Sequence, residues 1–321
     1  MLKIDSALTS FSPTNDRFLR EGYRDAIPFL KQLELAGQVE GLTGIAFDYP
    51  TPIADPIKLR ETLSSFNLGL GMVEIDMYSQ PKWKYGSLTS ADPRVRKEAM
   101  ELVKRGIDFA KAADAADVQL WLGQDGYEYP FQCDFQMAWD ELANSLKEIA
   151  AYRPDVKITV EYKSKEPRAR CFIANAGVAL ALVNDVGTPN IGVTLDVGHS
   201  LMAKENPAEA AVLLSRYKRL FHLHINDNYR DWDHDMVPGT VNFWDTLEFF
   251  YWLRKVGFDG WFGVDIYPYR EDGFKALSNT IRYIYRFYEV AGTLDEAKLK
   301  EYRDANEPLD IMDMLMERFL K

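Results

Sequence analysis

Eight times along 321 residues, a short apolar run ends in polar residues and gives way to a helical pattern. The runs are "LKIDSAL" (2–8), "GLTGIAFDYP" (41–50), "NLGLGMVEID" (67–76), "VQLWLGQ" (118–124), "KITVEYK" (157–163), "IGVTLDVGH" (191–199), "LFHLHIND" (220–227) and "WFGVDIYP" (261–268). Between them lie amphipathic segments such as "DPRVRKEAMELVKRGIDFAKAA" and "FQMAWDELANSLKEIAAY". Strands separated by helix-length segments pair in parallel through crossover helices. Eight such units predict a closed (β/α)₈ barrel rather than an open doubly wound sheet. No run opens into GxGxxG, which argues against a nucleotide cofactor. Length and a 47% hydrophobic content would suit one large barrel or two ordinary domains. The eightfold recurrence decides for a single barrel over 1–291. The remaining segment, 292–321, reads as an amphipathic helical extension. It either clasps a neighbouring subunit of a homo-oligomer, a dimer or tetramer, or caps its own barrel.

A net charge of -11 disfavours nucleic acid, because phosphate contacts need a basic surface, and it disfavours phosphorylated substrates. A neutral monosaccharide or polyol fits more easily. The stretch "CFIANAGVALALV" (171–183) is too short to span a bilayer and reads as a buried helix, so no membrane partner is expected. Two cysteines, Cys133 and Cys171, make no disulfide framework, and no apolar leader follows Met1. A cytoplasmic location is the expectation.

Three of the four histidines crowd into "FHLHINDNYRDWDHDMVPG" (221–239) together with Asp227, Asp231, Asp233 and Asp235. In a (β/α)₈ barrel the functional site forms where the strands end. Glu161, Asp196, His224 and Asp265 stand at or near the ends of the last four runs, and strand alternation allows each to point inward. Four such groups form a ring around one cation. In the following loop Asp233 and Asp235 offer a second carboxylate pair, with His199 three residues past Asp196, which could bridge two ions. Oxygen and imidazole ligands favour Mn²⁺, Mg²⁺ or Co²⁺ over a thiolate zinc site. Two divalent cations are therefore expected, Mn²⁺ first among them. His222 faces the same way as His224 but deeper, as a satisfied core residue, and His234 should face away from the metal.

These residues resemble the xylose isomerase-like barrels, in particular xylose isomerase and the L-rhamnose isomerases. "EYKSKEPR" (161–168) is similar to a ligand glutamate followed by a substrate lysine. "DVGH" (196–199) is similar to a bridging carboxylate and second-site histidine. "HINDNYRDWDHD" (224–235) and "VDIYPYRED" (264–272) look like the strand-seven and strand-eight ligand motifs, and "WLGQDGYEY" (121–129) looks like the loop that walls the sugar pocket. The resemblance covers roughly Trp83 to Asp272. It implies one cation on Glu161, Asp196, His224 and Asp265, and a second on Asp196, His199, Asp233 and Asp235. Lys163 would then bond the carbonyl-end oxygen. Beside the resemblance, Trp121 and Tyr267 are placed to line the pocket, and Asp227 and Arg230 either contact substrate hydroxyls or form surface ion pairs. The implied reaction is interconversion of an aldose and a ketose through the open chain by a metal-assisted hydride shift. Two departures stand out. Xylose isomerase has a carboxylate where His224 stands, although rhamnose isomerases use histidine. The family's ring-opening histidine on strand two is missing; "GIAFDYP" offers Asp48, and all four histidines lie beyond residue 198. Ring opening then falls to Asp48, to a metal-bound water, or to the open-chain pool in solution.

Alternatives on the same scaffold are a ketose epimerase using the strand-five and strand-eight carboxylates as acid and base, a metal-dependent lyase on a sugar or glycoside, and a non-catalytic sugar-binding protein. An aspartate at 265 and the paired-aspartate loop favour the isomerase over the epimerase.

Overall fold

The computed structural model describes residues 2–319. Eight parallel strands close into a barrel, each expected run supplying one: β1 (Lys3–Ser6), β2 (Gly44–Tyr49), β3 (Gly69–Ile75), β4 (Asp117–Trp121), β5 (Ile158–Glu161), β6 (Ile191–Asp196), β7 (Leu220–Ile225) and β8 (Trp261–Val264). Strand order follows chain order all the way round, and β1 pairs with both β2 and β8. Helices α1 (Phe29–Gly37), α2 (Pro56–Ser65), α3 (Pro93–Ala113), α4 (Phe135–Tyr152), α5 (Ala176–Val186), α6 (Val197–Met202), α7 (Pro207–Arg216), α8 (Phe243–Val256) and α9 (Gly273–Ala291) surround it. Their starts follow from the sequence: Asp55, Asp92, Asp134, Asn175, Asn206 and Asp272 cap free N–H groups, and proline follows three of them. No described helix is long and apolar enough to cross a membrane.

The strands' outward faces form the core. Ile45, Val73, Val118, Val160, Val193 and Leu223 are fully buried against the helices. The inward faces are polar. Thr194 donates to Thr159 at 2.8 Å, and His222 lies between Asp117 at 3.1 Å and Asp5 at 3.5 Å. Gly71 makes room for this: a Cβ there would stand 2.0 Å from Asp5 Oδ2. His222 is thus the deep core residue expected, with Nδ1 held by Asp117 and Nε2 without a hydrogen-bond partner among the described residues. Its imidazole is held above its ordinary pKa, because Asp5 and Asp117 outweigh the burial that opposes its charge.

One local expectation fails. The apolar stretch 171–183 is not one helix. Cys171 pairs with Gly126 in a small antiparallel sheet, Gly126–Tyr127 with Arg170–Cys171, and α5 begins only at Ala176, where Asn175 caps it. Run six closes as strand at Asp196, and α6 starts directly after it. Beyond the barrel, α10 (Glu296–Ala305) and α11 (Pro308–Phe319) fold back on it, with Phe319 set 5.2 Å from Phe243 and 5.8 Å from Trp244. Leu309, Met312 and Met316 remain exposed on α11.

Candidate metal centre and substrate cavity

One residue from each of four consecutive strand ends converges at the barrel mouth. Glu161 closes β5, Asp196 closes β6, His224 is the penultimate residue of β7, and Asp265 follows β8. One ligand atom from each lies within 4.8 Å of the other three. His224 Nδ1 stands 3.0 Å from Glu161, 3.7 Å from Asp265 and 3.8 Å from Asp196. Neighbouring ligands on an ion with bonds of about 2.1 Å are about 3 Å apart, and opposite ones about 4 Å. The spacing and the oxygen-plus-imidazole donors therefore fit a small divalent cation. Gly263 keeps the site open for His224, since a Cβ there would meet the ring at 2.8 Å.

The electrostatics agree with that fit. Burial pushes the Asp196 carboxyl up to about 7, with Glu161 and Asp233 adding to the rise and His199 opposing it. Asp265 is raised as well, chiefly by burial. Burial opposes the charge on Glu161 too, but His224 and His199 outweigh it and hold that carboxylate below its ordinary range. Carboxylates crowded in a dry site with too few cations are costly unless a positive ion joins them.

A second set adjoins the first. Asp196 caps α6 by accepting the His199 N–H at 2.7 Å, and that first helical turn swings His199 toward the strand ends. His199 Nδ1 is 3.0 Å from the Tyr162 carbonyl oxygen, and Nε2 is 3.0 Å from Asp233 Oδ2. A proton on Nδ1 leaves two lone pairs facing each other across that last gap, an arrangement that needs a proton or a cation. Asp233 Oδ1 is buried with no protein donor. Asn226 Nδ2 donates to Asp196 Oδ2 at 3.0 Å and to Asp235 Oδ1 at 3.1 Å, tying the two sets together. The second set is looser: among the described residues only the first four draw their ligand atoms so close.

Lys163 projects between the sets and the solvent. Its ammonium is buried, pairs with Asp233 at 2.7 Å and with Glu166, and lies 5.1 Å from the Trp121 ring centre. Burial works to lower its pKa, but Asp233 and Glu166 outweigh that effect and hold it above the ordinary lysine value. After Lys163 the chain bends through 164–168, with Lys165 bridged to Arg170. Of these groups Asp196 and Asn226 lie behind the wall, and the others face a cavity of about 730 Å³ walled by Phe29, Phe47, Met72, Trp121, Trp232 and Tyr267, a size suited to a small molecule.

A family model described as the xylose isomerase-like TIM barrel matches residues 34–286, more than half of the chain. The chain belongs to the xylose isomerase-like TIM barrel family. Within that family it is 28% identical over 191 residues to a xylose isomerase of Thermus thermophilus, a match covering 58% of this chain and 49% of the relative. It is 25% identical over 278 residues to a probable sugar isomerase of Mesorhizobium japonicum, covering 83% of this chain and 64% of the relative. The matches thus span about half to two thirds of those curated relatives. Among solved structures, an L-ribulose 3-epimerase superposes with a TM-score of 0.74 at 18% identity, covering 93% of this chain and 98% of that one. A D-tagatose 3-epimerase-like protein gives 0.69 at 20%, covering 91% and 98%. At those identities the likeness is one of fold.

In this xylose isomerase-like barrel, Trp121, Tyr267, Asp48, Lys163, His199, Asp233 and Asp235 all border the cavity, as do Glu161, His224 and Asp265. Arg230 does not. Its guanidinium turns to Asp245 at 2.7 Å and Asn242 at 2.9 Å, which corrects its assignment to substrate. Asp227 is consumed by the backbone N–H groups of Val241 and Asn242. His234 faces outward against Tyr229, as expected. Sequence reasoning missed Asn226, Gln119, Glu166 and Glu74. Glu166 and Asn226 sit inside quoted motifs, where their spacing from Lys163 and His224 was the available signal. Gln119 and Glu74 lie on β4 and β3, whose inward faces carried no recognised motif.

Proposed function

We propose that this chain is a divalent-cation-dependent sugar isomerase that interconverts an aldose and a ketose through the open-chain form. The observation that carries the reading is the second acid–imidazole set, His199, Asp233 and Asp235, built against Lys163 beside the four-residue cluster. An acid–base epimerase acting through two opposed carboxylates has no use for that set. Glu161, Asp196, His224 and Asp265 would hold one cation; Asp196, His199, Asp233 and Asp235 would hold the other, with Mn²⁺ favoured by mixed oxygen and imidazole donors and Mg²⁺ or Co²⁺ as alternatives. Bound there, the cations would supply Lewis-acid polarisation of two neighbouring sugar oxygens.

The chain's own residues do the rest. Lys163, kept protonated by Asp233 and Glu166, presents an N–H to the oxygen on C1 and stabilises the negative charge that grows there. Trp121 shields that ammonium from water on one side. Tyr267 and Trp121 offer flat apolar walls to the sugar's carbon faces, while carboxylates accept from its hydroxyls. The hydrogen on C2 passes as hydride to C1 within the sugar while the O2 proton passes through solvent to O1, so no side chain has to act as base at carbon. The crowded carboxylates of the cavity suit a neutral sugar and repel a phosphorylated one.

A second reading, a ketose epimerase, is favoured by one feature: Glu161 and Asp265 both flank His224, within reach of opposite sides of a sugar carbon. A panel of aldoses and ketoses incubated with Mn²⁺ and read by chromatography separates the two. Aldose–ketose interconversion, lost in Lys163→Ala, supports the isomerase. Inversion at C3 without aldose formation, or tight binding without turnover, overturns it.

A further inference from the structure

The barrel mouth carries a carboxyl pair that neither cation set uses. Asp48 and Glu74 are the penultimate residues of β2 and β3, and the two are register partners on neighbouring strands. Both side chains border the cavity, as does Tyr78, whose hydroxyl is 3.3 Å from Asp48 Oδ1 and stands against Glu74 as well. Glu74 Oε2 accepts from Gln119 Nε2 at 2.7 Å, and the same nitrogen donates to Glu161 Oε2 at 2.8 Å. Gln119 therefore fixes Glu74 at the edge of the cation cluster, on the cavity wall beside Tyr78. Trp121 packs edge-on against the Tyr78 ring at 4.5 Å and keeps it in place.

From this juxtaposition we propose that Asp48 and Glu74 are the acid–base pair that opens the cyclic sugar before isomerisation. The inference rests on the isomerase reading, because only a reaction at C1 and C2 of the open chain needs the ring opened. The proton of the anomeric hydroxyl passes to the Asp48 carboxylate, and the O1 electron pair forms the C1 carbonyl. The bond from C1 to the ring oxygen breaks, and its electron pair takes a proton from the Glu74 carboxylic acid. The pair ends with Asp48 protonated and Glu74 ionised, and returns by exchange with solvent or through the Tyr78 hydroxyl. No imidazole is available for this step on the early strands, since all four histidines lie beyond residue 198.

The surroundings suit those roles. Glu74 is pushed up to about 8, first by burial, then by Asp48 and Glu161, while Tyr78 and His224 oppose the rise. It therefore keeps a proton at neutral pH, as a general acid must. Asp48 is raised from the ordinary range by burial and by Asp76 and Asp265, with Tyr78 opposing, which makes it a stronger base than a solvated aspartate. Tyr267 completes the ionisable groups around the pair. Asp48 nonetheless remains open to the solvent in the cavity, where a sugar would reach it.

The test measures ring opening apart from isomerisation. Freshly dissolved α-D-xylopyranose and α-D-glucopyranose are followed by polarimetry with wild type, Asp48→Asn and Glu74→Gln, each loaded with Mg²⁺. Wild type should speed anomer exchange at least about tenfold over buffer, and either variant should lose at least about nine tenths of that acceleration. D-glyceraldehyde, which forms no ring, supplies a second readout: the ratio of pyranose to triose turnover should fall about tenfold or more in both variants. Equal losses on both substrates, or a wild type that isomerises without speeding anomer exchange, would overturn the pair's assignment. A wild type that speeds anomer exchange yet forms no ketose would leave the pair standing and remove the isomerase reading.

Discussion

Adding a divalent cation to the stripped protein should raise its melting temperature in two separable increments, one for each ligand set. A ligand at 100 times its dissociation constant stabilises the folded state by about 2.7 kcal/mol per site. A 321-residue chain with an unfolding entropy of about 2.1 cal/mol/K per residue has a total near 0.7 kcal/mol/K at 60 °C. Each occupied site is therefore worth about 4 °C, and both together about 8 °C. Asp265 belongs only to the first set and Asp233 only to the second, so Asp265→Asn and Asp233→Asn should each retain about one increment. The cation-free baselines should differ in sign. Asp265 is a carboxylate crowded by others, and its neutral isostere should melt no lower than wild type. Asp233 pairs with both Lys163 and His199, and removing its charge leaves those buried cations underbalanced. Breaking such a pair costs about 3–5 kcal/mol, of which the remaining Glu166 contact to Lys163 recovers a part, so this variant should melt several degrees lower. Calorimetry on EDTA-treated protein titrated with MnCl₂ reads all three numbers. A full 8 °C increment in Asp233→Asn would refute the second site, and no increment in wild type would refute both.

Further outcomes follow from particular contacts. Lys163→Met should lower kcat by about 10²–10³ while two cations still bind, measured by steady-state kinetics beside metal analysis, because it removes the donor to the developing charge on O1. Gly263→Ala would press a methyl group against His224 and His222, and should weaken the first site's cation affinity by about tenfold in calorimetric titration. His222→Gln strands Asp5 and Asp117 without their cation and should cost about 3–5 kcal/mol in denaturant unfolding at pH 6. Because the folded-state pKa of His222 is raised, its contribution is complete below the unfolded value of about 6.5 and fades as pH rises through the folded value. The gap between wild type and variant should therefore narrow at high pH. Anomer exchange by the wild type should decline as pH passes about 8, where Glu74 gives up its proton.

The barrel was legible because its signal is periodic. Each strand is a short apolar run bounded by polar residues, and most helices, α1 and α11 excepted, announce their start with Asp or Asn, which proline follows three times. The four-ligand cluster was legible for a related reason: a residue at a strand's end has its direction fixed by the pleat, so position in the run predicts convergence. Where the chain leaves regular structure, that logic stops. Arg230 sits at φ 68 in a loop whose path sends it to Asp245 rather than to the cavity, and nothing in its spacing reveals this. Residues 171–183 look like one helix in sequence because a short apolar strand and an apolar helix share the same residue types; Asn175, the cap of α5, marks where they part. Glu74 and Gln119 were invisible for the opposite reason. They occupy inward positions on strands whose partners are far away in sequence, and their meaning appears only when β3, β4 and β5 stand side by side.

The proposed reaction moves a hydrogen between C1 and C2 of one sugar molecule. D-xylose carrying deuterium at C2, incubated with the Mg²⁺-loaded protein in ordinary water and analysed by mass spectrometry, tests it directly. The expected product is D-xylulose that retains the deuterium at C1. Washout of the label into water, or no ketose from this or any other labelled aldose, would contradict it.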